Sequence, residues 1–195
     1  MTRLGVLVSG RGTNLAAILQ ACASGGIPGE VVFVASNKPG CPALAIARHA
    51  KVPEVRAFAL TEHADLATRD GAMAAALKAA AVELVITAGY DRVLDEGFVA
   101  AFEGRILNLH PSLLPEFGGS MNAIEDAFNA RLPRTGVTIH LIEPHTIDAG
   151  RVIAQEAVEI QAADSLKTLT ERIHSVEHRL LPQSIKAFIE ASLVR

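Results

Sequence analysis

Three stretches of the chain are almost wholly apolar: Leu4–Val8, Val31–Ala35 and Leu84–Thr87. A strand with one wet face alternates apolar and polar residues. Continuous runs of this length therefore read as strands buried on both faces, the habit of parallel sheets. Between them, Ala-rich stretches near 13–24, 41–50 and 62–80 predict helices, the last opening with Thr61 or Asp65 as its cap. A βαβαβ order of this kind predicts an α/β fold: an open, mostly parallel twisted sheet with helices on both faces.

The second half changes character. Thr135–Glu143 and Arg151–Ile160 read as two strands joined by the short loop PHTIDAG, which predicts an antiparallel ribbon in the C-terminal half. A last helix is expected from about Ser165 to Ala191, interrupted by Pro182. No repeat, low-complexity tract or linker divides the chain, so residues 1–195 are expected to form a single domain with two unlike halves.

Composition narrows the function. Of the 195 residues, 50% are hydrophobic and 20% charged, with a formal net charge of -3. Without a Lys/Arg cluster, this balance argues against nucleic-acid or membrane-surface binding. Two cysteines, Cys22 and Cys41, are too few for a disulfide framework and fit a reducing compartment. The start MTRLGVLVSGRG reads as a first strand rather than a signal peptide, and no apolar run approaches a membrane span. A cytoplasmic protein is expected.

Candidate chemistry starts with LNLHPSLLP, residues 107–115. Asn108 and His110 are two apart, so a strand turns both to one face, while Leu107 and Leu109 take the other. Pro111 keeps His110 extended at the carboxyl end of that strand, where open α/β sheets bind ligands. The pair either faces a ligand or is a buried amide and imidazole satisfied by backbone groups.

The first βα turn is Ser9-Gly10-Arg11-Gly12-Thr13-Asn14-Leu15. Its glycines let backbone approach a ligand, and the free amides of the next helix attract an anion. Leu15 stands where a dinucleotide fingerprint has its third glycine, and no acidic residue ends the second strand. A Walker Lys-Ser/Thr is missing too. The turn therefore suits a monophosphate better than NAD or ATP, with a plain tight turn as the other reading.

Asp148, in Ile147-Asp148-Ala149-Gly150, is an ordinary turn residue unless it reaches His110. A carboxylate there would raise the imidazole pKa and orient the ring for acid–base work. His174-Ser175-Val176-Glu177-His178 matches a zinc-peptidase pattern. Leu166, Leu169, Ile173, Val176 and Leu180 form that helix's core stripe, however. Glu177 is thereby expected at the margin, with His174 and His178 turned to solvent, so no metal is expected. His49 and His63 read as surface residues, and His140, like Thr138, either faces the site or is a half-buried strand polar group. No G-x-S-x-G elbow or reactive Cys signature indicates a covalent nucleophile.

Five segments together carry a resemblance: the 9–15 turn, Ala88-Gly89-Tyr90-Asp91-Arg92-Val93-Leu94, LNLHPSLLP, Thr135-Gly136-Val137-Thr138-Ile139-His140, and Ile147-Asp148-x-Gly150. In this order and spacing the chain resembles the glycinamide ribonucleotide formyltransferases over essentially its whole length. The resemblance implies transfer of the formyl group of 10-formyltetrahydrofolate, a co-substrate, to the amine of glycinamide ribonucleotide in purine biosynthesis. By position, Asn108, His110 and Asp148 match the catalytic trio. Gly12, Thr13 and Asn14 match the phosphate loop, and Glu177 matches a Glu that holds the ribonucleotide. Arg69, Asp91, Arg92, Val93 and Leu94, together with Asn108, match positions that contact the folate. The ribonucleotide phosphate is expected in the N-terminal half and the folate in the C-terminal half. Small molecules are the implied partners, with no nucleic acid, no membrane and a monomer or homodimer.

Three departures stand out. After S-L-L-P the family commonly continues x-[FY]-P-G with a His soon after. This chain has Glu116-Phe117-Gly118-Gly119-Ser120-Met121-Asn122, with one residue more. The loop from His140 to Asp148 is also one residue longer, and His174 stands where the family often has Gln. These bear on substrate grip and on the reach of Asp148. Related activities for the same trio are a formyltetrahydrofolate deformylase and a methionyl-tRNA formyltransferase. Each typically carries an extra domain that 195 residues leave no room for. A binding-only homologue without turnover is a further alternative.

Overall fold

The computed structural model describes residues 1–193. Strand β1 (Thr2–Val8) is followed by α1 (Thr13–Ala23), β2 (Gly29–Ser36), α2 (Pro42–His49), β3 (Glu54–Ala57), α3 (Leu66–Ala79) and β4 (Leu84–Thr87). Then come α4 (Glu96–Ala101), β5 (Ile106–His110), α5 (Ala123–Asn129), β6 (Arg134–Leu141), β7 (Val152–Glu159) and α6 (Leu166–Leu193). The strands form one sheet in the order β3-β2-β1-β4-β5-β6-β7. The first five run parallel, and β6 and β7 are each antiparallel to the strand before.

Both faces of the sheet are covered, which is why its central strands need no polar alternation. Leu4, Val6 and Val8 pack with Leu15 and Ile18 of α1, Leu44 of α2, and Leu169, Ile173 and Ile185 of α6. Leu7, Phe33 and Val85 face the other way, onto Met73 and Leu77 of α3 and Phe98 of α4. Gly5 leaves room for this second layer, since a Cβ there would come within 2.7 Å of Leu77 Cδ2.

The chain winds outward from β1 in one direction through β2 and β3, and in the other through β4 and β5. A crevice opens where the winding reverses, at the carboxyl ends of β1, β4 and β5. Three sequence expectations are adjusted. The third helix starts at Leu66, where Asp65 caps it by accepting from Thr68 N at 2.8 Å. The expected ribbon strands are shorter at the loop, ending at Leu141 and restarting at Val152. Pro182 does not interrupt the last helix, which runs through it: the lost N–H costs one bond, while Leu181 and Ile185 on either side stay fully buried.

Candidate active site

A cavity of about 680 Å³ occupies that crevice. One end is built by the β1–α1 turn. Gly12 precedes α1 at φ 81, and no side chain caps the helix, so its first amides stay free for an anion. A Cβ on Gly12 would lie 2.7 Å from Ala43 Cβ and 2.8 Å from Ala43 Cα. The turn is thus pressed onto α2: the Ala43 N–H and the Sγ of Cys41, just before the helix, both reach the Gly10 carbonyl, at 3.2 and 3.1 Å.

Across from this turn stands Glu177 of α6, only 4% exposed. Asn14 Nδ2 donates to its Oε2 at 2.9 Å, while Asn14 Oδ1 is buried without a partner. Burial, partly offset by that bond, pushes the Glu177 carboxyl up to about 7. His174 also lines the cavity and is half-buried, with its ring stacked 6.2 Å from that of His178. This corrects the expectation that both histidines point to solvent: α6 packs along α1, and the contact is wider than the apolar stripe alone indicates. Burial, then the charge of Arg11, lowers the His174 pKa. Among the described residues no group of three His, Cys, Asp or Glu is placed to hold a metal ion.

The middle of the cavity holds the trio. Strand register sets it up, because Asn108 pairs with Thr87 on one side and with His140 on the other. Thr87 Oγ1 donates to Asn108 Oδ1, leaving the amide nitrogen to reach His140 Nε2 at 2.9 Å and Asp148 Oδ1 at 3.2 Å. His140 Nδ1 bonds the Leu141 carbonyl at 2.9 Å, and its Nε2 stands between the Asn108 amide and Asp148 Oδ1, 3.4 Å from the latter. His110 lies with Nδ1 3.3 Å from Asp148 Oδ2 and Nε2 3.0 Å from the Phe117 carbonyl.

Asp148 therefore reaches, longer loop included. Its Oδ2 also accepts from Gly119 N at 2.8 Å. Burial alone would raise its pKa, but the bond to His140, the Gly119 amide and the charge of His110 outweigh it and hold the carboxyl below the usual range. The departed segment after Pro115 thus grips the trio through backbone groups of Phe117 and Gly119.

Asp91, Arg92, Val93 and Leu94 also line the cavity wall, as does Asn108. Arg69 does not. It is 1% exposed, with Nε bonding Asp70 Oδ1 at 2.7 Å and Nη2 at 2.6 Å from the same oxygen but without a well-aligned partner. Sequence reasoning missed Thr87 and left His140 open. The signal for His140 was the alternation in β6, which puts it on one face with Thr138 and opposite Asn108 once the strands pair.

A glycine-rich anion turn and an amide–imidazole–carboxylate centre define a group-transfer site on an α/β sheet. The chain belongs to the formyl transferase family, which matches residues 2–185. It is 36% identical to the phosphoribosylglycinamide formyltransferase of Haemophilus influenzae over 193 residues, covering 99% of this chain and 90% of that protein. The trifunctional purine biosynthetic protein adenosine-3 of Gallus gallus is 38% identical over 184 residues, 94% of this chain and 18% of that longer protein. The crystal structure of phosphoribosylglycinamide formyltransferase from Bacillus halodurans matches with a TM-score of 0.92 at 37% identity, over 96% of this chain and 95% of that one.

Proposed function

We propose that this chain transfers the formyl group of 10-formyltetrahydrofolate to the amine of glycinamide ribonucleotide, in the cytoplasm and as one domain. The observation that carries the reading is Asn108 and His110 on one strand face with Asp148 against both. This centre lies midway along a cavity whose one end is an uncapped helix start.

Gly12, Thr13 and Asn14 take the ribonucleotide phosphate, and Glu177 accepts from its hydroxyls. The folate lies along residues 91–94. Val93, Met121 and Ile147, three exposed apolar side chains on the cavity wall, suit a flat ring system. The amine attacks the formyl carbon and gives a tetrahedral oxyanion. Asn108 Nδ2 and His110 donate to it, exchanging their internal partners for a charged acceptor, which forms the stronger bond. As the oxyanion collapses, the bond to the folate nitrogen breaks and that nitrogen takes the proton the amine gives up. Asp148 stays ionised and keeps His110 oriented. The reading is tested by incubating the protein with both substrates and following the ribonucleotide by mass spectrometry. Formylated ribonucleotide is the expected product; folate consumed with no such product contradicts the reading.

A further inference from the structure

The β1–α1 turn offers an anion its backbone amides, which carry only partial charge. A phosphate monoester, with a second pKa of about 6, is largely a dianion at neutral pH. A full cation beside the turn would therefore strengthen its hold. Two arginines, Arg11 and Arg92, line the cavity, and no lysine does so among the described residues. Arg92 belongs to the 91–94 wall and has Asp91 Oδ1 3.9 Å from its Nε. Arg11 sits in the turn itself, and among the described residues its guanidinium has neither an ion pair nor a hydrogen bond.

An exposed Arg on a turn is ordinarily a solvated charge. Three observations set Arg11 apart. The first is its place: the turn is pinned at Gly12 against Ala43 but open at Gly10, where a Cβ would meet nothing within 4 Å. Arg11 stands between the two. The second is direction. His174 is half-buried on the cavity wall, and after burial the charge of Arg11 is the next cause of its lowered pKa. The guanidinium is thus felt on the α6 side of the turn, inside the cavity mouth. The third is that no carboxylate claims it. Glu177, the carboxyl facing the turn, takes its hydrogen bond from Asn14.

We propose that Arg11 is a further substrate-binding residue, whose guanidinium pairs with the phosphate held at Gly12–Asn14. The amides fix where the phosphate sits, and Arg11 supplies the charge that makes the site select a phosphorylated amine over its unphosphorylated form. This rests on the reading of the turn as the ribonucleotide phosphate site.

The test compares two amines, glycinamide ribonucleotide and the glycinamide ribonucleoside that lacks its phosphate, by kcat/KM at saturating 10-formyltetrahydrofolate. Arg11→Gln should lower kcat/KM for the ribonucleotide about tenfold, mostly through KM, as loss of a charged hydrogen bond made equally before and during reaction does. The ribonucleoside and the KM for the folate should stay within about twofold. Arg11→Lys keeps the charge but loses the planar two-pronged donor, so its value should fall between those of Arg11→Gln and the unaltered protein. Added salt should erode the preference for the phosphorylated amine more in the unaltered protein than in Arg11→Gln. An unchanged preference in Arg11→Gln would return Arg11 to a solvated charge and overturn the proposal. Equal losses for both amines would overturn it too, because the substitution would then act through the shape of the turn. Unaltered protein that formylates both amines equally well would overturn the phosphate reading of the turn, and protein that formylates neither would overturn the transfer reading. Both of those failures appear without any substitution, which separates them from a failure of Arg11.

Discussion

Asp148 beside His110 and Glu177 beside the β1–α1 turn line the same cavity, both largely shielded from water, yet their pKa values are pushed in opposite directions. Asp148 faces the Gly119 amide, the Asn108 amide and two imidazoles. Glu177 has one donor, from Asn14. Burial disfavours charge in both, so the number of donors decides. The centre of Asn108, His110 and Asp148 keeps a negative charge beside His110, whereas Glu177 beside the β1–α1 turn keeps a carboxyl poised near neutrality.

The contrast is sharpened first at its most consequential point. His110→Ala should lower turnover about 100- to 1,000-fold, as loss of an oxyanion donor does, with little change in melting temperature. Turnover near that of the unaltered protein would remove His110 from the mechanism.

The two carboxylates are next separated by pH. The Glu177 pKa is raised from 4.5 to about 7, so the folded state holds its proton longer than the unfolded chain. That stability is complete below about pH 4.5 and is lost as pH rises through 7. Glu177→Gln should therefore match the unaltered protein in acid and exceed it by up to about 3 kcal/mol at pH 8 in urea titrations. Asp148 has the opposite sign: its stability is present above the ordinary carboxylate range and is lost as pH falls through its lowered value. Asp148→Asn should be the less stable protein at pH 7, with the gap closing in acid. Parallel pH profiles for the two variants would break the comparison.

A smaller effect isolates the β1–α1 turn. Gly12→Val sets a side chain at φ 81 and within 2.8 Å of the Ala43 backbone. The turn must shift, and the ribonucleotide Kd should rise at least about tenfold while folate affinity is nearly unchanged. Equal weakening of both ligands would mean that the turn is not confined to one substrate.

Much of this was legible in the chain. Unbroken apolar runs marked β1, β2 and β4, and the Asn108–His110 spacing marked the face they share. Strand β3 was not, because Glu54–Ala57 is a short edge strand with no fully buried residue to pattern it. Helices α4 and α5, six and seven residues long, are too short to stand on periodicity and are held by tertiary contacts such as those of Phe98 and Ala127. The burial of Arg69 was hidden for a different reason: its partner is its neighbour Asp70, and a pair one residue apart carries no helical spacing to reveal it. Phe117 and Gly119 act through backbone atoms, which residue type does not announce.

The central claim is that this centre passes a formyl group to an amine and not to water. The measurement is formate release from 10-formyltetrahydrofolate, with and without glycinamide ribonucleotide, alongside formylated ribonucleotide. Anchors at Gly12–Asn14 and Glu177 that water does not need predict slow formate release alone and formylated ribonucleotide as the dominant product once both substrates are present. Fast formate release, unchanged by adding the ribonucleotide, would contradict the account and make the protein a hydrolase.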